Sequence, residues 1–209
     1  MKAALALAWL CLPCLGSAAV PPPAPPSWPI DAAQSQVQFS VRKLWFAHVR
    51  GTFPELHGSL RRIDTRIHAD VGVVDAILDV AKLRMDDDAD RARALGPDFF
   101  DAARFPTIHF ESDPFPLGEL VTGGMLRGSL ALHGERHPVV LNLLPSGCPR
   151  QPLECTIHVQ GSISRSSFGM RGWRGVLSNK VKLDMRIVVH PSVDAASPAH
   201  HADPGLPGH

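Results

Sequence analysis

Apolar and polar residues alternate with a period of two through most of the middle of the chain. Val37, Phe39 and Val41 alternate with Gln36, Gln38 and Ser40, and Val74, Ala76, Leu78 and Val80 with Asp75, Ile77 and Asp79. Leu126, Leu130 and Leu132 alternate with Arg127, Ser129 and Ala131; Ile157, Val159 and Ile163 with His158, Gln160 and Ser162. The last such run sets Val181, Leu183, Met185, Ile187 and Val189 against Lys182, Asp184, Arg186 and Val188. Each run predicts a strand with one wet face. Weaker patterns predict strands over 49–53, 58–63, 107–112 and 139–143, with turn formers between them at Gly123-Gly124, Gly134-Glu135, Pro145-Ser146-Gly147 and Gly172 to Gly175. One stretch, Asp86 to Leu95, predicts a helix, its aspartates at the start and its arginines further on, as the helix dipole favours.

Strands that are apolar on one face must hide that face, and one short helix cannot cover so wide a sheet. The expected fold is therefore all-β: a closed or flattened antiparallel β-barrel of about eight strands with one short helix between strands. A barrel of that size is either filled by its side chains or left open for one small ligand. Ala76, Gly128 and Gly161 at inward positions favour a narrow channel, whereas Phe39, Phe53, Phe110 and Phe168 would pack it solid. Both interiors stay open at this point. The run Leu95 to Phe110 holds Phe99, Phe100, Phe105 and Phe110 with Pro97 and Pro106 among them, which reads as a helix end, an apolar turn that plugs a concave surface, and a strand.

The flanks differ from this middle. Residues 1–19 read as a secretory signal peptide: Lys2, an apolar stretch from Ala3 to Leu15 shorter than the ~20 residues of a membrane span, then Gly16-Ser17-Ala18-Ala19. A Pro-rich spacer over 20–27 follows, then a domain over 28–190, and a tail over 191–209 whose Pro, Ala, Gly and His predict disorder. The net charge of +1 and the lack of a Lys/Arg block exclude nucleic acid and anionic membrane as main partners; no stable membrane insertion is expected, and a homodimer stays open. Two cysteines leave with the signal. Cys148 and Cys155, close together in an exported chain, predict a disulfide.

Five ordered pieces of the chain resemble one family. Phe99-Phe100-Asp101 with Phe105-Pro106-Thr107-Ile108-His109-Phe110-Glu111-Ser112 resembles the D-F-F-D and P-x-I-x-F-x-S signature of the YceI-like, polyisoprenoid-binding periplasmic proteins. Val37 to Val41 with Val49 to Phe53, Leu126 to Gly134 with His137-Pro138-Val139, Arg165 to Met170, and Leu177 to Val181 resemble further motifs of that family in the same order. The resemblance covers about Trp28 to Val189. It implies a lipocalin-like barrel whose lumen holds a polyisoprenoid or similar long-chain lipid, and a soluble periplasmic carrier or storage role without catalysis. The chain departs from the family pattern at Gln34-Ser35, at Lys43 and at Val80 to Arg84.

On this reading the lumen and plug residues are Phe39, Val41, Phe53, Leu78, Phe99, Phe100, Phe105, Phe110, Leu130, Val159, Phe168, Met170, Leu183 and Met185. Arg165 is the candidate head-group contact, its other reading being a structural pair with Asp98 or Asp101, which themselves read as turn-fixing acceptors. The Arg171-Gly172-Trp173-Arg174-Gly175 loop is either a barrel-mouth rim or an ordinary surface loop. No cofactor and no metal are called for: His133 and His137 are separated by Gly134 and followed by Pro138, so they do not share a helix face. Gly161 to Arg165 lacks the second glycine of a nucleophile elbow, and no catalytic constellation is visible. The chain therefore reads as a binding protein. The alternatives are an enzyme acting on a lipid in the same cup and a ligand-free interaction module.

Overall fold

The computed structural model describes residues 25–44, 47–63 and 70–190. The expected signal peptide, most of the spacer and the expected tail lie outside those residues.

The strands are β1 Ser27–Pro29, β2 Gln36–Lys43, β3 Ala47–Phe53, β4 His57–Ile63, β5 Val71–Asp79, β6 Thr107–Ser112, β7 Phe115–Pro116, β8 Gly124–Leu132, β9 Glu135–Leu143, β10 Ile157–Ser164 and β11 Leu177–Ile187. Two helices interrupt them, α1 Asp88–Leu95 and α2 Glu119–Thr122, along with 3-10 turns at Val80–Lys82 and Arg165–Phe168. One antiparallel sheet runs in the order β1-β4-β5-β6-β8-β9-β10-β11-β2-β3, with β7 added beside β5. It curls into a partly open barrel, and isolated bridges at Ile30–Val189 and Thr52–Arg84 tie the two ends of the strand order. The all-β barrel is thus the fold, with two short strands, β1 and β7, added to those the alternation predicts.

Local chemistry explains the elements. Asp87 caps α1, its Oδ1 accepting from the Asp90 amide at 2.8 Å, so the acidic cluster acts as a helix start. The β8–β9 turn places His133 at φ 53° and Gly134 at φ 78°, two left-handed residues in the arrangement of a type I′ hairpin. Ser27, the last residue of the expected spacer, belongs to the sheet: it pairs with Arg61 as Trp28 pairs with Leu60, and the Pro26 carbonyl accepts from the Arg62 amide at 2.9 Å. Near the Ile30–Val189 bridge, Ser35 is fully buried, and its hydroxyl both donates to the Val188 carbonyl and accepts from the Val188 amide.

The alternating apolar residues point inward as the period requires. They form two packed groups: one around Phe53, Leu78, Val80, Leu83 and Leu130, the other around Leu60, Phe115, Leu120, Leu126 and Leu143. The second group, with Phe115 and Leu120 from the β7–α2 segment, fills one end of the barrel. Two of the small inward residues do not leave space. At Gly128 an added Cβ would meet the Phe110 ring at 2.8 Å, and at Gly161 it would meet Leu141 Cδ2. Neighbouring side chains fill both positions, so of the three only Ala76 borders the hollow described next.

Candidate functional site

The barrel encloses an apolar cavity of about 210 Å³. Strand β11 alone lines it with Leu177, Val181, Leu183, Met185 and Ile187, a path of roughly 30 Å at ~3.3 Å per residue. Phe39, Phe110, Leu183 and Met185 face inward yet stay only partly buried, because their inner surfaces meet the hollow rather than other atoms.

Twelve of the expected lumen residues line this cavity: Phe39, Val41, Phe53, Leu78, Phe99, Phe100, Phe110, Leu130, Val159, Met170, Leu183 and Met185. The structure also brings in Met85, Ala94 and Trp173, which lie in loops or on α1, where no period-two signal reaches. In phase with the strands, Val37, Val49, Ile108 and Ile163 could have been found by extending the alternation.

Two expected lumen residues lie elsewhere. Phe168 is only 2 % exposed, but the 3-10 turn after β10 carries it out of the strand phase. Its ring meets His137 edge-on at 5.2 Å and its carbonyl accepts from His133 Nδ1 at 3.0 Å. Phe105 meets His133 at 5.0 Å with the rings tilted, beneath the Arg104 guanidinium and against Gly134. These two rings brace the β8–β9 turn.

The aromatic turn after α1 is the plug. Phe100 meets Phe39 at 5.9 Å and Phe53 at 5.8 Å, both edge-on, a geometry that aromatic quadrupoles favour. Backbone bonds, rather than carboxylates, hold the turn: the amides of Phe100, Asp101 and Ala102 donate to the carbonyls of Ala94, Gly96 and Leu95 at 3.0, 2.9 and 3.0 Å. Asp101 adopts φ 48°, a conformation aspartate tolerates, and its buried carboxylate lies 3.4 Å from Arg104. The Asp98 carbonyl accepts from the Gly172 amide at 3.2 Å, which fastens the plug to the Arg171–Gly175 loop.

That loop is a rim of the cavity, since Trp173 lines it and remains 37 % exposed. Arg165 holds the loop from beneath. Its Nε donates to the Ser178 carbonyl at 3.1 Å, Nη1 to Met170 at 3.1 Å and Gly172 at 2.6 Å, and Nη2 to Leu177 at 3.3 Å. Neither expected carboxylate pairs with it. Burial, reinforced by the nearby Arg174 charge, holds its pKa below the usual arginine value.

Away from this mouth, Cys148 and Cys155 form the expected disulfide, with Cα atoms 6.1 Å apart, in the β9–β10 connection. Leu153 of the same connection packs against both apolar groups.

UPF0312 proteins of Vibrio cholerae are 27% identical over 124 residues, which is 57% of this chain and 62% of theirs. Among solved structures, Burkholderia cenocepacia BcnA superposes with a TM-score of 0.59 at 22% identity, covering 76% of this chain and 98% of BcnA. A polyisoprenoid binding domain from Saccharophagus degradans gives 0.59 at 18% identity, over 78% of this chain and 98% of that domain. The Campylobacter jejuni YceI protein gives 0.51 at 16%, over 71% and 89%. At these identities the superpositions establish the shared fold. Residues 28–189 match the family described as the YceI-like domain, and the chain belongs to that family.

Proposed function

We propose that this protein is an exported, periplasmic lipid-binding protein that holds a polyisoprenoid or similar long apolar chain in its barrel, for carriage or storage, and that it is not an enzyme. The observation that carries this reading is the hollow itself, walled by apolar side chains along the length of β11. At about 0.8 kcal/mol per buried CH₂, a long chain gains affinity from such a wall without a charged partner. The name of the Saccharophagus degradans neighbour supports the ligand class. No helix among the described residues is long and apolar enough to cross a membrane. An enzyme would need a free buried polar cluster in the cup, and Arg165 already spends its donors on carbonyls.

Mass spectrometry of an organic extract from protein purified out of its native host tests the proposal. A prenyl species in near-stoichiometric amount is the expected result. Protein that carries no lipid and takes up none from prenyl alcohols added to it would overturn the reading.

A further inference from the structure

The outer side of the sheet carries a second hollow, an open groove of about 840 Å³ that crosses β9, β10, β11, β2 and β3, with the segment from Arg84 to Asp86 as one bank. Strand register builds it from two transverse rows of outward side chains. In one row Asn142, Gln160, Asp184, Gln38 and Thr52 stand opposite one another on successive strands, and the Thr52–Arg84 bridge adds Arg84 at the end. In the other, Ser162, Lys182, Ser40 and Arg50 stand in the same way. At ~4.8 Å per strand the first row spans about 19 Å from β9 to β3. Phe39 and Leu183, between the rows, turn their side chains to the lumen, so the floor there is backbone.

The groove is positively charged. Arg50, Arg84, Lys180 and Lys182 face two carboxylates, Asp86 and Asp184, and none of the four cations has an ion-pair partner among the described residues. Asp184 is already engaged, accepting from Gln160 Nε2 at 2.8 Å. A concave surface lined by one excess sign of charge concentrates its field on a ligand of the other sign. No basic run in the sequence marks the place, because only the fold joins position 50 to 84 and both to 180–182.

The other lining side chains narrow the choice of anion. Gln38, Ser40, Asn142 and Ser162 carry amides and hydroxyls that both donate and accept, as sugar hydroxyls do. A bilayer would need apolar side chains to enter it, and among the described residues of the groove only Val140 is a large exposed one. Single-stranded nucleic acid would need aromatic platforms, and the Phe39 ring packs inward on Phe53 and Phe100. An extended peptide adds to a strand edge, whereas the groove crosses β10, β11 and β2, each already paired on both sides.

We propose that this groove binds an acidic glycan, a run of sugar units bearing carboxylates, laid across the strands. Its carboxylates meet Lys182, Arg50 and Arg84, and its hydroxyls meet Gln38, Ser40 and Ser162. The site shares a sheet with the lumen but faces the other way, so it stands whether or not the barrel holds a chain.

The test is calorimetry on the full chain at low salt, where exposed charges are least screened. The probes are an oligogalacturonate, its methyl ester and an oligoglutamate of matched length. The free acid should bind at least about tenfold more tightly than either of the others. Arg50→Gln combined with Lys182→Gln should bring the acid down to the level of the ester. Arg61→Gln, which removes an exposed cation of β4 outside the groove, should leave it unchanged. All three positions are exposed, and near-ultraviolet circular dichroism of the variants should match the parent. Absence of binding by the acid overturns the proposal, as does an ester that binds equally well. An oligoglutamate that matches the acid, or an Arg61→Gln loss as large as that of the double variant, would make the face a general polyanion surface and overturn it too.

Discussion

Phe39 and Gly51 face each other across the β2–β3 ladder, and the Phe39 ring occupies the place where a side chain at 51 would begin. Leu83 Cδ1 closes the same space at 3.0 Å. A Gly51→Ala substitution must push the ring toward the cavity or strain its rotamer, at a cost of ~1–3 kcal/mol. Urea denaturation should show the lower midpoint, and Phe39→Leu in the same chain should recover part of it, since the two sites couple. An unchanged midpoint in Gly51→Ala would mean the ring does not sit there.

Phe100 and Phe110 divide the plug and the wall between them. A charged residue at either position sets an unpaired carboxylate against an apolar hollow, so Phe100→Glu and Phe110→Glu should lose uptake of a prenyl chain. Near-ultraviolet circular dichroism separates a folded non-binder from a misfolded chain. A folded variant with full uptake would remove that residue from the site.

The Cys148–Cys155 bond closes a short loop, which in the chain-entropy account contributes ~2–3 kcal/mol. Cys148→Ser should lower the thermal midpoint, and a reductant should lower that of the parent but not of the variant. Because the bond lies in the β9–β10 connection, far in the fold from the Trp173 rim, chain uptake at a temperature where both are folded should persist.

Asp31 responds to acid. Its Oδ1 accepts from the amides of Ala33 and Gln34 at 3.0 and 3.1 Å, and its Oδ2 lies 2.9 Å from His190 Nε2. Burial pushes its pKa up, but the Gln34 side chain, these two amides and the His190 charge outweigh that, and the carboxyl ends below its usual value. A depressed folded pKa stabilises above the unfolded value of about 3.9 and ceases to do so as pH falls through the folded one. Asp31→Asn should therefore unfold at lower urea than the parent at pH 7, and the gap should close as pH falls below about 4. A gap that persists in strong acid would assign the effect to packing.

Arg165 knits three segments through the carbonyls of Met170, Gly172, Leu177 and Ser178. Arg165→Met removes the donors and leaves buried acceptors unpaired, each at about 1–3 kcal/mol. Arg165→Lys keeps the charge without the planar fork and should recover only part of the loss. Denaturant midpoints of the two variants order these contributions; equal midpoints for Arg165→Lys and the parent would show that geometry is unimportant here.

Alternation made the long strands legible, because each has one dry face and period two marks it directly. The short elements carried no such mark: β7 has two residues, and β1 sits in a Pro-rich stretch where Trp28 alone reaches the interior. Inwardness of a residue was readable, but emptiness was not. Gly128 and Gly161 looked like gaps, and only three-dimensional packing shows Phe110 and Leu141 leaning into them. Phe105 and Phe168 lie off the cavity lining for a related reason: aromatic content says a side chain needs cover, not which neighbours supply it, and Phe168 finds it within the same buried group as Phe53 and Leu130 while Phe105 finds it on His133. The carbonyl partners of Arg165 lie up to 13 residues away and belong to the backbone, which leaves no trace in side-chain identity.

The two isolated bridges, Ile30–Val189 and Thr52–Arg84, give the tube a seam. Along most of the wall, as between β10 and β11, the ladder runs the length of the strands, and widening there would mean breaking a whole row of bonds at once. At the seam two pairs of backbone bonds, Asp31–Val188 with His190–Pro29 and the reciprocal pair between Thr52 and Arg84, hold the edges together along with the Ser35 hydroxyl on Val188. The girth of a guest is therefore set by how far that seam parts, and thicker guests should loosen amide exchange at Thr52 and Arg84 while the β10–β11 ladder stays protected.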